Sequence, residues 1–347
     1  MSAVETPAVS FVIPVYNEEG NVERLHGELT EVAAEIGRPY EILFVNDGSR
    51  DATLDRLILI AVRDAHLRVV DLDGNFGEAA ALCAGFATAR GRYVLTLDGD
   101  GQNDPRDLPR FLRRLERDQL DVVSGRRAHR QEEFFTRVLP SRVANACIAM
   151  LTGVPVHDTG CGLKVYRREV LVGAQLPKGM NRFLPAILGV DRTRVAEEPT
   201  QDRVRGSGTS HYGLSRVFVV FRDLLALPLL VRRPPPGRKT AAALALVQGL
   251  AAVGAVGALL ALMLAPGPRG PLVLATVAGA LGAAALGAIR FNVSRCQAAR
   301  DGGVFRVRRV IDGSNLAERS DRRRGVLGEE SPSDLPRTFD GARLGAV

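Results

Sequence analysis

The feature that most constrains the fold is a repeated pairing of a short apolar run with a polar cluster directly after it. The clusters YNEE, NDGS and DGDGQ each follow such a run. The predicted strands cover 9–15, 41–45, 67–72 and 93–97, and the predicted helices cover 18–36, 51–64 and 77–90. Alternating strands and helices are typical of a doubly wound, mostly parallel α/β sheet. Ligands of such sheets bind beyond the carboxyl ends of the strands, so we expect the polar clusters to converge on one crevice.

Two long uncharged apolar runs lie in the C-terminal third, at 241–264 and 271–289. Each is close to the ~20 residues that cross a bilayer, although two buried helices of a soluble protein would also fit. Gly249, Gly254 and Gly257 in the first run permit close helix packing or association between copies. Arginines flank the pair on both outer sides, whereas the connector holds only Arg269. The positive-inside rule then predicts a multi-pass plasma-membrane protein with both flanks in the cytoplasm.

The segment before these runs is basic and amphipathic, and it ends in RRPPPGRK. Such a segment is typical of a helix lying on the membrane surface, with an ordinary surface helix as the alternative. The expected organisation is a cytoplasmic catalytic domain at 1–212, a juxtamembrane segment at 213–239, a two-helix membrane hairpin at 240–291 and a partly disordered cytoplasmic tail at 292–347.

The basic composition narrows the class of partner. The formal net charge is +7, which suits nucleic acid, anionic lipid or a phosphorylated substrate. There is no zinc-finger spacing and no Trp, so we expect no nucleic-acid partner. The four cysteines are scattered, which predicts buried thiols in a reducing compartment. The N-terminus lacks the pattern of a cleaved signal peptide.

The cluster DGDGQ has the chemistry of a metal site. Asp98 and Asp100 can share one divalent cation, and Gln102 adds a neutral oxygen. Mg²⁺ and Mn²⁺ prefer such oxygen ligands, and Mg²⁺ is commonly held by one or two carboxylates plus substrate phosphates. An Asp-x-Asp pair also occurs in ordinary acidic turns. Its position after a strand favours the metal interpretation.

The other two clusters offer groups that suit a nucleotide. Asp47 can accept hydrogen bonds from a ribose or a base, Tyr16 can stack on a base, and Glu18 can bond the base or cap a helix. Structural alternatives compete with each role. Glu18 can complement a helix dipole, and Asp47 can be a turn residue before Gly48.

Seven motifs occur in an order that identifies a family. They are VIPVYNEE, FVNDGS, NFGEAAALCAGFATARG, LDGDGQNDP, SGRR, DTGCGLKVYRR and RGSGTSHYG. The series resembles the family-two glycosyltransferases, in the branch that contains dolichol-phosphate mannosyltransferase and the bacterial polyprenyl-phosphate sugar transferases. The resemblance covers roughly residues 8–225, and the two apolar runs also resemble the bacterial members. It implies a GT-A fold.

The resemblance also assigns roles to residues. It implies nucleotide-sugar binding at Pro14, Tyr16, Glu18, Asp47, Asp98 and Ser210, metal binding at Asp98, Asp100 and Gln102, and catalytic or phosphate-handling roles at Asp100, Arg127, Asp158 and Arg205. Arginine suits phosphate because its fork bonds two oxygens at once. Two positions depart from the family pattern, Glu78 and His211, where lysine is common. Both lower the positive charge expected near the diphosphate.

The function implied is inverting, metal-dependent transfer of a sugar from a GDP- or UDP-linked donor to a polyprenyl phosphate. The second pKa of the acceptor phosphate is ~6, so it needs little help from a base. One alternative is a processive polysaccharide synthase of the same superfamily. Those enzymes carry a Gln-x-x-Arg-Trp motif and more membrane spans, whereas this chain has no Trp and only two apolar runs. Transfer to another acceptor, or a catalytically silent scaffold with the same fold, are further alternatives.

Overall fold

The computed structural model describes residues 6–127, 158–200, 203, 223, 238–264 and 270–315. Arg205, Ser210 and His211 lie outside these residues, as does nearly all of the predicted juxtamembrane segment.

An eight-stranded mixed sheet forms the centre of the catalytic domain. Its strands are β1 (Val9–Val15), β2 (Tyr40–Asn46), β3 (Leu67–Leu72), β4 (Tyr93–Thr96), β5 (Val122–Arg127), β6 (Lys164–Arg167), β7 (Val195–Thr200) and β8 (Val307–Asp312), in the order β7-β5-β6-β4-β1-β2-β3-β8. The β1–β2, β1–β4, β2–β3 and β5–β7 pairs are parallel. The β6 and β8 pairings are antiparallel. The predicted parallel half of the sheet is therefore confirmed, with antiparallel strands added to it.

Seven α-helices accompany the sheet in the described part of the chain. They are α1 (Val22–Ile36), α2 (Thr53–Ala61), α3 (Glu78–Thr88), α4 (Leu108–Arg117), the single turn α5 (Leu184–Ile187), α6 (Arg238–Leu264) and α7 (Gly270–Gly302). Helix α1 begins four residues later than predicted, because Asn17 has a positive φ of 56° and the Glu18 amide donates to Thr53 Oγ1 (2.8 Å). Residues 17–21 thus form a loop that is tied to the next connection.

Both faces of the sheet are covered by helices. On one face Phe11, Ile13 and Phe44 pack with the apolar sides of α1, α2 and α4. On the other face Val12, Leu43 and Val45 pack against the alanine-rich helix α3. Burial on both faces explains why the central strands are continuous apolar runs rather than alternating ones.

Helices α6 and α7 are long and apolar enough to cross a membrane, over Ala242–Leu262 and Leu272–Ala299. They pack closely where Gly279 meets Ala255, since a Cβ on Gly279 would lie 3.1 Å from the Ala255 Cβ. Side chains added at the glycines that we expected to mediate packing, Gly249, Gly254 and Gly257, would meet nothing within 4 Å among the described residues.

The segment that we expected to be a separate tail returns to the catalytic domain. The end of α7 is buried at Asn292, Val293 and Cys296, and β8 then joins the sheet beside β3. Charge pairing holds this basic strand, since Arg309 Nε lies 3.2 Å from Asp71 Oδ2 and Arg68 Nε lies 3.2 Å from Asp312 Oδ2. The high charge of this segment suggested disorder. The acidic and basic partners are distant in the sequence, so their pairing was not visible there.

Candidate active site

The polar clusters after β1, β2 and β4 lie at one edge of the sheet, which we call the carboxyl edge. The DGDGQ loop approaches β1 so closely that a Cβ on Gly99 would lie 2.7 Å from the carbonyl oxygen of Pro14. Asp47 extends β2 at the same edge, and its amide donates to the Val15 carbonyl (2.9 Å). The predicted convergence is confirmed. Pro14 itself contributes its backbone to the contact with the acidic loop.

Asp98 is the most electrostatically perturbed carboxylate at this edge. Burial raises its pKa to about 8, and the negative charges of Glu78 and Asp100 add to the effect. The positive charges of Lys164 and Arg127 act in the opposite direction. A strongly shifted carboxyl with like charges beside it is typical of a functional site rather than a stabilising one.

The loop after Asp98 is fixed by its own backbone. The Asp98 amide donates to Asn103 Oδ1 (3.1 Å), and the Gln102 amide donates to Asp100 Oδ1 (3.1 Å). Arg203 binds the same loop from outside, because its amide donates to the Gln102 carbonyl (2.7 Å) and its Nη2 lies 2.7 Å from Asp104 Oδ1. Nothing in the sequence singles out Arg203, since its partners Gln102 and Asp104 are distant along the chain.

The donor set at the edge fits a divalent cation that is shared with a substrate. Within the described ranges, no group of three or more His, Cys, Asp or Glu side chains is gathered as a metal site. The loop instead supplies two carboxylates, Asp98 and Asp100, and the side chain of Gln102 follows two residues later. Mg²⁺ sites in proteins commonly consist of one or two carboxylates completed by substrate phosphates. Burial raises the pKa of Asp98 most and the neighbouring negative charges add to it, and a bound cation would favour the ionised form again.

A loop between Asp158 and Leu163 packs against the Asp98 carboxylate. A Cβ on Gly162 would overlap that carboxylate, so only glycine fits there. The loop is held to β4 because Thr96 Oγ1 donates to the Gly162 carbonyl (2.9 Å). Our sequence analysis missed Gly162, because a contact between positions 98 and 162 has no local signature.

Lys164 was also missed, and here the sequence held a signal. It interrupts the apolar run GLKVY, and its side chain is buried. Its ammonium donates to the Cys161 carbonyl and places a positive charge near Asp98. Burying a lysine in a strand costs free energy unless its charge is compensated, so this position could have been predicted to have a role.

Arg127 and Asp158, which were predicted separately, form one unit. Arg127 Nε lies 2.7 Å from Asp158 Oδ2, its Nη2 lies 2.9 Å from Oδ1, and its amide donates to Oδ2 (3.2 Å). The Asp158 amide in turn donates to Glu197 Oε1 (3.0 Å). Asp158 therefore positions Arg127, and its predicted catalytic role stays a prediction.

The predicted nucleotide-binding residues show different environments. Asp47 is buried, and its two oxygens accept hydrogen bonds from the amides of Phe76 (2.7 Å) and Gly77 (2.8 Å). Burial raises the pKa of Asp47, while these two bonds and the charge of Lys178 oppose the rise. Asp47 thus positions the loop before α3, and its direct contact with a nucleotide stays a prediction.

Tyr16 and Glu18 lie on the open side of the same edge. Tyr16 is 40% exposed, which leaves its ring accessible to a base. Glu18 precedes the helix rather than beginning it, and its Oε2 accepts from Asn21 Nδ2 (2.6 Å). A role in stabilising the entry to α1 is therefore observed for Glu18.

Glu78, the first departure from the family pattern, lies within the site. It lines a small cavity together with Asp98, Lys164 and Asn181, and Asn181 Nδ2 donates to Glu78 Oε1 (2.6 Å). Its negative charge helps to raise the pKa of Asp98, after burial as the largest cause.

Comparison with known proteins shows the family to which this chain belongs. The model of glycosyl transferase family 2 matches residues 10–173. The chain is 40% identical over 232 residues to dodecaprenyl-phosphate galacturonate synthase of Rhizobium johnstonii, covering 66% of this chain and 69% of that protein. It is 38% identical over 218 residues to undecaprenyl-phosphate 4-deoxy-4-formamido-L-arabinose transferase of Pseudomonas aeruginosa, covering 62% of this chain and 64% of that protein. The matched region is thus about two thirds of each relative.

A solved structure agrees on the fold. Mannosyl-3-phosphoglycerate synthase from Rubrobacter xylanophilus superposes with a TM-score of 0.51 at 19% identity, covering 64% of this chain and 74% of that one. A glucosyl-3-phosphoglycerate synthase from Mycobacterium tuberculosis, solved with Mn²⁺, UDP and glucosyl-3-phosphoglycerate, gives a TM-score of 0.49 at 20% identity, covering 67% and 82%. The extent and identity of the match to the Rhizobium protein show that this chain belongs to glycosyl transferase family 2.

Proposed function

We propose that the protein transfers a sugar from a nucleotide diphosphate sugar to a polyprenyl phosphate at the cytoplasmic face of the membrane. The observation that supports this best is the carboxyl edge itself, where Asp98 lies among like charges beside the nucleotide-facing loops. The names of the relatives, a dodecaprenyl-phosphate and an undecaprenyl-phosphate sugar transferase, support the choice of acceptor class.

The donor occupies the carboxyl edge in this proposal. The exposed ring of Tyr16 stacks on the base, and Pro14 and Glu18 border the same pocket. Asp47 holds the loop before α3 in place through the Phe76 and Gly77 amides, so that the nucleotide meets a fixed surface. Ser210 joins this set from outside the described residues.

Asp98, Asp100 and Gln102 would hold a Mg²⁺ or Mn²⁺ ion, which when bound neutralises the diphosphate that leaves. Arg127 adds positive charge from the other side of the 158–162 loop, held by Asp158. Arg205 is proposed for the same task. Fixed charges of this kind stabilise developing negative charge without reorganising during the reaction.

The acceptor phosphate is itself the nucleophile. One of its oxygens forms a bond to the anomeric carbon while the bond from that carbon to the diphosphate breaks, and the nucleoside diphosphate leaves. The acceptor is already ionised near neutral pH, so the step needs no strong general base. Direct displacement inverts the anomeric centre, and catalysis consists mainly of positioning and charge stabilisation.

The topology supports delivery of a membrane-bound acceptor. The strands before α6 and the strand β8 after α7 belong to the same sheet. We propose that the α6–α7 pair is a hairpin that crosses the bilayer twice, which keeps both of its ends on the side of this sheet. The flanking arginines support a cytoplasmic location for that side.

Reconstitution of the full chain in lipid nanodiscs tests the function. Radiolabelled GDP- and UDP-sugars are supplied with Mg²⁺ or Mn²⁺, and either polyprenyl phosphate or soluble acceptors. We expect label to enter the lipid phosphate, and Asp98→Ala and Asp100→Ala to abolish it while Glu35→Gln, an exposed control, does not. Transfer only to soluble acceptors would overturn the proposed acceptor. Metal-dependent donor binding without any transfer would favour a silent scaffold.

A further inference from the structure

A second cavity lies at the opposite edge of the sheet, the amino edge, where β1 and β4 begin and β6 ends. It is an open cavity, and its lining is dominated by guanidinium groups. The lining residues are Thr6, Pro7, Arg90, Arg92, Arg167, Arg168, Glu169 and Val172. Glu169 is the one acidic residue of this lining.

The strand register forces two of these arginines together. Strands β4 and β6 pair antiparallel with Tyr93 opposite Arg167, and the Arg168 amide donates to the Arg92 carbonyl (2.9 Å). Arg92 and Arg168 are therefore neighbours across the end of this ladder. Like charges directly opposite each other in a sheet are destabilising unless something compensates them.

Carboxylates of the protein lie near the other two arginines of the cavity, Arg90 and Arg167. Arg90 Nη2 lies 3.4 Å from Asp312 Oδ2. Arg167 is buried, donates from Nε to the Leu120 carbonyl (2.8 Å), and lies 3.8 Å from Asp121 Oδ1. These contacts fix two guanidinium groups in the cavity wall.

Arg92 and Arg168 differ from that pair. Among the residues that the structure describes, neither has a carboxylate within ion-pair distance. Arg92 lies over the Tyr93 ring at 5.4 Å, and Arg168 Nη1 donates to the Arg90 carbonyl (3.2 Å). Both side chains are exposed at the cavity. Their charge is available to a ligand from solution.

The cavity is separate from the proposed donor site. Arg92 precedes β4 and Asp98 follows it, which places the two about 20 Å apart at the rise of a strand. The membrane helices meet the domain at the other edge, because Arg295 of α7 donates to the Lys178 carbonyl and the Lys178 side chain covers Gly77. The cavity therefore lies at the edge opposite to the one that these apolar helices meet, which favours a soluble ligand over a lipid.

We propose that this cavity, which we name the arginine pocket, binds a soluble phosphate-bearing anion with two or more negative charges. Arg92 and Arg168 supply the adjustable contacts, and Arg90 and Arg167 supply the fixed ones. Guanidinium groups suit phosphate because they bond its oxygens in pairs. This site is additional to the sugar-transfer function and does not depend on it.

Titration calorimetry with inorganic pyrophosphate tests the proposal on the full chain in zwitterionic nanodiscs. EDTA is present so that a metal-dependent diphosphate site cannot contribute. We expect the wild type to bind pyrophosphate at one site. The affinity of Arg92→Gln/Arg168→Gln should be weaker than that of the wild type by about tenfold or more. The matched control is Arg56→Gln/Arg113→Gln, which removes two exposed arginines from α2 and α4. It should bind pyrophosphate as the wild type does at equal ionic strength.

Three results would overturn the arginine pocket. One is no binding in the wild type, or unchanged affinity in the Arg92→Gln/Arg168→Gln variant. Another is an equal loss in the control, which would mean that net charge alone attracts the ligand. The third is a loss in Asp98→Asn instead, which would assign the binding to the carboxyl edge. Thermal unfolding of each variant shows whether the fold is retained.

Discussion

Two carboxylates at opposite edges of the sheet, the buried Glu41 and the partly buried Asp98, have different surroundings. At the amino edge, Glu41 accepts hydrogen bonds from Ser10 Oγ (2.6 Å), the Arg90 amide (2.6 Å) and Arg68 Nη1 (2.8 Å). At the carboxyl edge, Asp98 lies beside Glu78 and Asp100, and its pKa is raised to about 8. Glu41 is paired directly with a cation, whereas Asp98 has two negative neighbours as well as the positive charges of Lys164 and Arg127.

The contrast separates structural charge from functional charge. A buried carboxylate that is paired and fully bonded contributes to the fold and has nothing left to offer a ligand. A buried carboxylate among like charges costs stability and is retained where a cation or substrate completes it. Glu41, near the start of β2, is of the first kind, and Asp98, just after β4, is of the second.

Replacing Asp98 should have the greatest effect on catalysis. Asp98→Asn keeps the size of the side chain and removes the charge that a cation needs, so we expect transfer to fall by about 10³-fold or more. The measurement is initial rate of lipid-linked product in nanodiscs. Glu35→Gln removes an exposed carboxylate whose Oε1 lies 3.6 Å from Arg113 Nη1, and it should keep the wild-type rate. A rate near wild type in Asp98→Asn would remove this residue from the site.

Replacing Glu41 should instead affect stability. Glu41→Gln leaves Arg68 buried with Asp312 as its remaining carboxylate, and we expect a loss of about 3 kcal/mol in the free energy of unfolding. Urea unfolding in detergent, followed by hydrogen exchange of β1 and β2, measures this. The folded fraction should keep its transfer rate per molecule. Equal stability of Glu41→Gln and Glu35→Gln would show that the Glu41 network is not structural.

A smaller catalytic effect is expected from Gly162→Ala. The new methyl group overlaps the Asp98 carboxylate and must displace it, which should lower the transfer rate by about 10²-fold. Gly27→Ala in α1 is the matched control, because a Cβ there meets nothing within 4 Å. That variant should be active and slightly more stable. Wild-type activity in Gly162→Ala would mean that the position of the Asp98 carboxylate is not critical.

The smallest effect concerns Asp64, a satisfied carboxylate far from the site. Burial alone would raise its pKa, but hydrogen bonds with His26 (2.8 Å) and the His66 amide (2.8 Å) lower it to about 2. Because the folded state favours the ionised form, this stability is complete above about pH 4 and is lost as the pH falls from about 4 to about 2.

Asp64→Asn should therefore cost about 1–2 kcal/mol at pH 7, and less as the pH falls below 4. Urea midpoints of the variant and the wild type, measured across this range, give the difference. A difference that stays constant with pH would contradict the assigned pKa.

The distance along the chain between contacting residues explains which parts of the molecule could be predicted from the sequence. Strands β1 and β3 have the predicted bounds, because apolar runs buried on both faces specify themselves locally. The start of α1 was displaced because Glu19 Oε2 accepts from the Ala52 amide (3.0 Å), a partner 33 residues away. Gly162 and β8 were missed for the same reason, since their contacts with Asp98 and β3 exist only after folding.

The candidate site divides in the same way. Asp98, Asp100 and Gln102 were predicted because the acidic cluster directly follows a strand. The Arg127–Asp158 pair was predicted as two residues, but their union needs the return of the 158–163 loop to β5. Lys164 was visible as a charge inside an apolar run and was not assigned a role.

Metal-dependent binding of a nucleoside diphosphate tests most directly whether the carboxyl edge is a cation and diphosphate site. Titration calorimetry of GDP and UDP is performed on the full chain in nanodiscs, with Mn²⁺ or with EDTA, for the wild type and Asp98→Asn. We predict that Mn²⁺ strengthens binding of at least one nucleotide to the wild type, and that Asp98→Asn loses this dependence while it remains folded. Equal affinity with Mn²⁺ and with EDTA in the wild type, or an undiminished Mn²⁺ effect in Asp98→Asn, would contradict the assignment.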